Sequence, residues 1–227
     1  MSVRPRIHTT FVTYNRLELT KQAIESYLST IQMPFTYVVV DNGSDDGTID
    51  WLIAEKHPHI FLWRNFYPGY ATNRGWEQAP DKATLLQRAD NDMEFLPGWC
   101  EQIERIFQRK RRLGQLGLRT SSEERHCSVN TGGNCIIRRS LWDKGLRWDE
   151  RSWRRYPAGL SEDTYFSPEV QKMGYTWSRV TKPCLRMLSP DFADYELWAN
   201  DPYYVKAFAD RRLARRNRHR RRTRRTG

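Results

Sequence analysis

The sequence predicts an α/β protein with a mostly parallel, doubly wound sheet, and three observations carry that expectation. Apolar runs of strand length alternate with stretches of helical spacing through the first half of the chain. Two regions place acids where strands should end: Val38-Val39-Val40 breaks off into Asp41-Asn42-Gly43, and Asp90-Asn91-Asp92 follows a later apolar run. Open α/β sheets bind their ligands at such carboxyl edges. The chain has 227 residues and 38% hydrophobic content, enough to bury a sizeable core.

Each element can be justified in turn. Residues 8–13 read as a strand, and residues 17–28 carry helical apolar spacing through Leu17, Ala23, Ile24, Tyr27 and Leu28. Residues 35–40 form the second strand. Residues 48–55 read as a short helix for which Ser44 or Asp45 can serve as a cap, and residues 59–63 as a third strand. Residues 70–79 look helical, residues 84–87 form a short buried strand, and residues 98–110 form a helix with Trp99, Ile103, Ile106 and Phe107 on one face. Beyond Gly114 the pattern loosens. A strand is expected over 134–138, a helix over 161–173 and a strand over 175–180.

Composition excludes several classes. No apolar run approaches the roughly 18 residues of a membrane span. Met1-Ser2-Val3-Arg4-Pro5-Arg6 leads straight into the first strand with no signal-like apolar region, so a soluble, cytoplasmic protein is expected. Cys100, Cys127, Cys135 and Cys184 show no C-x-x-C spacing and read as reduced thiols. The net charge of +11 is uneven: ten arginines and no acid lie between Arg211 and Arg225, leaving 28 basic against 27 acidic groups in the first 210 residues. There is neither a G-x-G-x-x-G turn nor a G-x-x-x-x-G-K-[ST] loop, so a bound nucleotide would have to be held by carboxylates and a metal.

Five blocks carry a family resemblance. Thr9-Thr10-Phe11-Val12-Thr13-Tyr14-Asn15-Arg16, the segment from Val38 to Thr48, Pro68-Gly69-Tyr70-Ala71-Thr72-Asn73-Arg74-Gly75, Asp90-Asn91-Asp92 and Ser161-Glu162-Asp163 resemble, in order, the blocks of a family 2 glycosyltransferase with the GT-A fold. The resemblance extends from about Arg6 to about Met187. It implies a glycosyltransferase domain over 1–200, divided into a nucleotide-sugar half (1–113) and an acceptor half (114–200), followed by a helix and arginine-rich tail (201–227).

The resemblance also implies roles. The diphosphate leaving group of a sugar nucleotide develops negative charge, which a hard divalent cation held by carboxylates neutralises. Alternation along an extended backbone sends Asp90 and Asp92 one way and Asn91 the other. Asp92 is thus implied as a ligand of Mn2+ or Mg2+, and Asp90 as a ribose or metal contact; an acidic turn capping the next helix is the other reading. Asp41 resembles the carboxylate that accepts a hydrogen bond from the nucleotide base. Thr13, Tyr14 and Asn15 would line the same pocket, with Asn73 and Arg74 supporting its floor and the diphosphate. Glu162 and Asp163 match the acidic pair of an acceptor-side helix, Asp163 acting as general base in a single inverting displacement; acids in a first helical turn also read as ordinary capping. Thr131-Gly132-Gly133-Asn134, through Gly132 and Gly133, resembles the loop packed against the donor sugar, although a ligand-free hairpin has the same composition. Many relatives carry a late histidine in the metal sphere, which residues 183–187 lack. Its place falls to Cys184 or water, or Arg186 neutralises the diphosphate instead.

The tail bears on the acceptor. Arg215, Arg216, Arg218, Arg220, Arg221 and Arg222 lie in a segment too charged to fold alone, of a kind that binds polyanions by counterion release. The expectation is an inverting glycosyltransferase using a nucleotide sugar, with a uridine diphosphate sugar favoured by the resemblance. The acceptor would be nucleic acid, a hydroxylated base in DNA being the form considered, with the enzyme in the host-cell cytoplasm if viral. A protein or saccharide acceptor is the first alternative. A non-catalytic nucleic-acid-binding module is the second, against which the intact Asp90, Asp92, Glu162 and Asp163 argue.

Overall fold

The computed structural model describes residues 4–118, 133–150 and 163–188. The first half alternates as expected: β1 (Ile7–Thr13), α1 (Leu17–Thr30), β2 (Phe35–Asp41), α2 (Thr48–Ala54), β3 (His59–Phe61), α3 (Tyr67–Trp76) and β4 (Leu85–Asp90). Then follow β5 (Met93–Phe95), α4 (Trp99–Arg109), β6 (Leu113–Gly117), β7 (Cys135–Arg138), α5 (Arg139–Asp143), α6 (Asp163–Lys172), β8 (Thr176–Arg179) and β9 (Leu185–Met187).

Seven strands form one sheet in the order β3-β2-β1-β4-β7-β6-β8, and β5 pairs with β9 in a separate two-stranded ribbon. Within the large sheet every pairing is parallel except those of β7, which runs antiparallel to both β4 and β6. The order reverses direction at β1, which has β2 on one side and β4 on the other. This is the switch point at which an open sheet leaves a crevice beyond its carboxyl ends.

All seven residues of β1 are buried, as a central parallel strand covered on both faces should be. Alternation sends Phe11, Val39, Leu85 and Ala89 into the cluster with Ile24, Tyr27, Trp99 and Ile103 of α1 and α4. Leu86 and Ile137 face the opposite cluster with Trp76, Leu141, Trp148, Phe166 and Val170. Fully burying an isoleucine such as Ile24 or Ile103 contributes roughly 1.5–3 kcal/mol. The α3 helix lies close on β1 because Gly75 has no side chain; a Cβ there would sit 2.2 Å from Thr10 Cγ2.

Differences from expectation have local causes. Helix α3 begins at Tyr67 rather than at residue 70, since Pro68 occupies the first turn, where its missing N–H is not needed. Strand β4 runs on to Asp90, taking in Arg88. The short β5 and β9, the two-glycine β6 and the one-turn α5 lacked a periodic signature. Cys100, Cys135 and Cys184 are buried thiols outside any disulfide, and Cys127 lies outside the described residues. Among the described residues no helix is long and apolar enough to cross a membrane.

Candidate active site

Three loops meet at the carboxyl ends of β1, β2 and β4. Register pairs Val12 with Asp90 and Thr13 with Asp41, so the acids end their strands level with the close of β1. After Thr13 the chain turns through two residues at positive φ, Asn15 at 56° and Arg16 at 69°. These expose the loop's polar groups to its neighbours. The Asn15 N–H donates to Ser44 Oγ at 2.7 Å, and Asn15 Oδ1 accepts from the Asp45 N–H at 2.9 Å.

Asp41 is fully buried and occupied by its own loop. Oδ1 accepts from the N–H groups of Gly43 and Ser44 at 2.9 and 2.8 Å, and Oδ2 accepts from Ser44 Oγ at 2.5 Å. Burial pushes its carboxyl above the ordinary value, against the pull of those hydrogen bonds. Neither Ser44 nor Asp45 caps α2: the N-cap position is Gly47, at φ 91° and without a side-chain cap bond, and Asp46 just before it bonds the first helical residue. Asp46 Oδ1 accepts from the Thr48 hydroxyl at 2.6 Å and the Thr48 N–H at 3.1 Å, while Oδ2 takes the Leu17 N–H of α1 at 2.8 Å. Burial would raise the Asp46 carboxyl, but these bonds outweigh it and hold it below its usual value.

The Asp90-Asn91-Asp92 turn divides its side chains as alternation predicts. Asn91 points inward, its amide donating to Thr13 Oγ1, the Asn15 carbonyl and Thr20 Oγ1 at 3.1, 3.0 and 2.9 Å, which ties the turn to the β1 loop. Thr13 therefore acts as a framework residue beneath the crevice. Tyr14 follows it, half-buried at the edge. Asp92 pairs with Arg16 at 3.1 Å. Asp90 pairs with Arg88 Nε at 3.1 Å, and Arg88 Nη1 reaches Asp163 Oδ1 at 3.3 Å.

The reversed strand β7 completes the group. Antiparallel pairing sets Cys135 opposite Arg88, which carries the preceding Gly133 and Asn134 to the carboxyl end of β4. Asn134 clasps Asp90 twice, accepting its N–H at 2.9 Å and donating Nδ2 to Oδ2 at 3.0 Å. A Cβ on Gly133 would sit 2.8 Å from Arg88 Nη2 and 2.9 Å from Asp90 Oδ2, so the bare backbone is what admits this pair.

Asp90, Gly133 and Asp163 are thus assembled around Arg88 at the switch point, and Asp92 is held beside them by Arg16 of the β1 loop. Asn73 and Arg74 engage another segment. Asn73 is buried, donating to the Trp148 carbonyl and Glu150 Oε1 and accepting the Trp148 N–H, and Arg74 pairs with Glu77 and Glu150. Gly132, Glu162 and the tail residues Arg215, Arg216, Arg218, Arg220, Arg221 and Arg222 lie outside the described residues. Sequence reasoning assigned no role to Arg88 or to Arg16 by itself, and Asn134 figured only as the end of the glycine loop. The available signal was Arg88 itself, a charge in the strand Leu85-Leu86-Gln87-Arg88-Ala89.

Two hard carboxylates at this edge fit a cation of the magnesium or manganese type, which takes one or two protein carboxylates and fills its shell with substrate phosphate and water. No group of three His, Cys, Asp or Glu capable of holding a metal occurs among the described residues. Cys184 is 2% exposed, and its carbonyl accepts the Leu96 N–H, while the Leu188 N–H donates to the Asp92 carbonyl across the β5–β9 ribbon. Arg186 pairs with Glu94.

A switch-point crevice with carboxylates from β1's neighbours and a reversed strand at its side defines the GT-A class of glycosyltransferase domain. Residues 11–123 match the model of Glycosyl transferase family 2, and the chain belongs to that family. Among solved structures it is similar to S. aureus TarS 1-349, with a TM-score of 0.63 and 17% identity over 85% of this chain and 63% of that one. TarS 1-349 in complex with UDP-GlcNAc gives 0.61 and 16% over 85% of this chain and 64% of that one. The mannosyltransferase PcManGT from Pyrobaculum calidifontis, in complex with GDP-Man and Mn2+, gives 0.64 and 16% over 87% and 61%. This chain spans less than two thirds of the length of these structures. No curated protein matches it.

Proposed function

We propose that this chain is an inverting glycosyltransferase that moves a sugar from a nucleoside diphosphate donor to a hydroxyl acceptor. The observation that carries the reading is the convergence of Asp90, Asp92 and Asp163 at one switch-point edge, with Arg88 joining the donor-side strand β4 to the acceptor-side helix α6. Asp163 takes the proton of the acceptor hydroxyl as that oxygen bonds to the anomeric carbon. The bond from that carbon to the diphosphate breaks in the same displacement, and the nucleoside diphosphate leaves with the electron pair. Asp92, with Asp90, would hold a divalent cation, which when bound neutralises the leaving diphosphate. Thr13, Tyr14, Asn15 and Asp41 shape the base pocket, Asn73 and Arg74 brace its floor, Gly132 and Gly133 admit the sugar, and Glu162 assists the base.

Uridine and guanosine diphosphate sugars are the donor classes supported by the bound donors of similar structures, the uridine form being favoured by the sequence resemblance. Residues 1–113 serve the donor, 114–200 the acceptor, and 201–227 form a docking arm. The stretch from Arg211 to Arg225, with ten arginines and no acid, supports a nucleic-acid acceptor, DNA carrying a hydroxylated base being the form proposed, for an enzyme working in the cytoplasm. A protein or saccharide acceptor is the alternative. The deciding experiment screens uridine and guanosine diphosphate sugars with Mn2+ for hydrolysis and transfer, with and without hydroxymethylated DNA. Sugar on the DNA supports the reading; labelling of a protein acceptor alone moves the acceptor, and no turnover of any donor overturns it.

A further inference from the structure

A buried arginine inside a central strand needs an explanation. The Arg88 side chain is 4% exposed, and its fork is spent on two acids from distant parts of the chain, Nε on Asp90 and Nη1 on Asp163. Its Cζ lies 4.9 Å over the Trp148 ring, which stacks on Phe166 at 3.8 Å and 6°. Phe166 lies three residues after Asp163, on the same face of α6. The helix is therefore seated on β4 twice, through the Phe166–Trp148–Arg88 stack and through the Asp163 carboxylate. Strand alternation puts Arg88 and Asp90 on the same side of the sheet.

We propose that Arg88 is a positioning residue that fixes the Asp163 carboxylate relative to the donor-side Asp90, so that acceptor activation and donor binding share one rigid frame. This rests on the reading of Asp163 as the base. An arginine suits the task because its planar fork addresses two carboxylates at fixed angles, whereas a lysine offers one mobile point charge. Misplacing a reacting group by about 1 Å can cost about 10²-fold in rate. Gly133 belongs to the same device, since any side chain there would press on Arg88 and Asp90 together.

The test uses the full chain and hydrolysis of UDP-GlcNAc and GDP-mannose, in which water takes the acceptor's place, with donor affinity read separately from tryptophan fluorescence. Arg88→Gln should lower kcat by about 10²-fold with donor affinity within about threefold, and Arg88→Lys should recover only part of the loss. Because the effect passes through Asp163, the Arg88→Gln/Asp163→Asn double variant should be no slower than Asp163→Asn alone. Should Arg88→Gln fail to fold, Gly133→Ala keeps the charge, displaces the guanidinium and should give the same loss of kcat. Slow Asp163→Asn beside full-speed Arg88→Gln or Gly133→Ala, or losses that multiply in the double variant, overturns the positioning role alone. Undiminished Asp163→Asn, or a wild type that hydrolyses no uridine or guanosine diphosphate sugar, overturns the base reading beneath it.

Discussion

Arg16 Nη1 lies 3.1 Å from Asp92 Oδ2, with 8% and 14% of the two side chains exposed. The carboxylate read as a metal ligand therefore already carries one of the protein's own cations. In so enclosed a pair, desolvation offsets much of the attraction, leaving the carboxylate able to share its remaining lone pairs with an ion that arrives with the diphosphate.

Replacing Asp92 by Asn should lower transfer by about 10²-fold or more, because the leaving diphosphate loses its neutralising ion. A chelator should do the same to the wild type, with Mn2+ restoring activity. Calorimetric titration of Mn2+ in the presence of UDP should give binding to the wild type and none to the variant. Full wild-type activity in excess chelator would sink this role for Asp92.

Asp163→Asn keeps the shape of the side chain, and its Oδ1 can still accept from Arg88, but it cannot take a proton. Turnover should fall by about 10²-fold or more while donor affinity holds. An unchanged kcat would shift the base role to Glu162 or another acid.

Asp46 ties α1 and α2 together through Leu17 and Thr48, whereas neighbouring Asp45 offers only its backbone N–H, to Asn15. Asp46→Ala should therefore cost about 1–2 kcal/mol in urea unfolding, the scale of a few hydrogen bonds lost together. Asp45→Ala should stay within about 0.5 kcal/mol. Equal losses at the two positions would refute the tie that Asp46 makes between α1 and α2.

His8 is 2% exposed, with Nδ1 2.8 Å from Thr36 Oγ1 and Nε2 3.1 Å from the Gly75 carbonyl. Burial lowers its pKa below 6.5, outweighing the Gly75 hydrogen bond, and nearby Arg139 adds to the lowering. The unfolded chain thus binds a proton that the fold resists. Stability contributed by neutral His8 is full above pH 6.5, falls as pH drops from there toward the folded value, and levels off below it. His57, also lowered chiefly by burial, adds a slope of the same sign. His8→Gln should flatten the fall in urea midpoint between pH 7 and pH 5; an unaltered slope would exclude His8 as its source.

Deleting residues 211–227 should weaken binding to DNA of any sequence and reduce the salt slope, each lost phosphate contact removing about one released counterion. Donor hydrolysis should be unaffected, because the donor residues lie in the body of the domain. Equal glycosylation of DNA by full and truncated chains across a range of salt would show that the tail is not a docking arm.

Local pattern made the first half legible. The strand-length runs of β1 and β2 and a period near 3.6 in α1 and α4 appear within single windows of sequence, and so do acids that end an apolar run, such as Asp41. The same windows could not show that Asp46, rather than Ser44 or Asp45, bonds the start of α2. All three stand before α2, and the choice depended on the Leu17 N–H, which only the packing of α1 brings within reach.

The sequence by itself determined the parallel βαβ half and the two acidic strand edges, because both are written in near-neighbour order. Tertiary structure alone decided that β7 enters in reverse beside β4, that Gly133 and Asn134 therefore flank Asp90, and that Arg88 reaches Asp163. Those contacts join residues 44 to 75 positions apart. Which strands pair, and in which direction, is fixed by the burial of whole faces rather than by any local period, so the charge inside β4 acquires its partners only when the sheet closes around it.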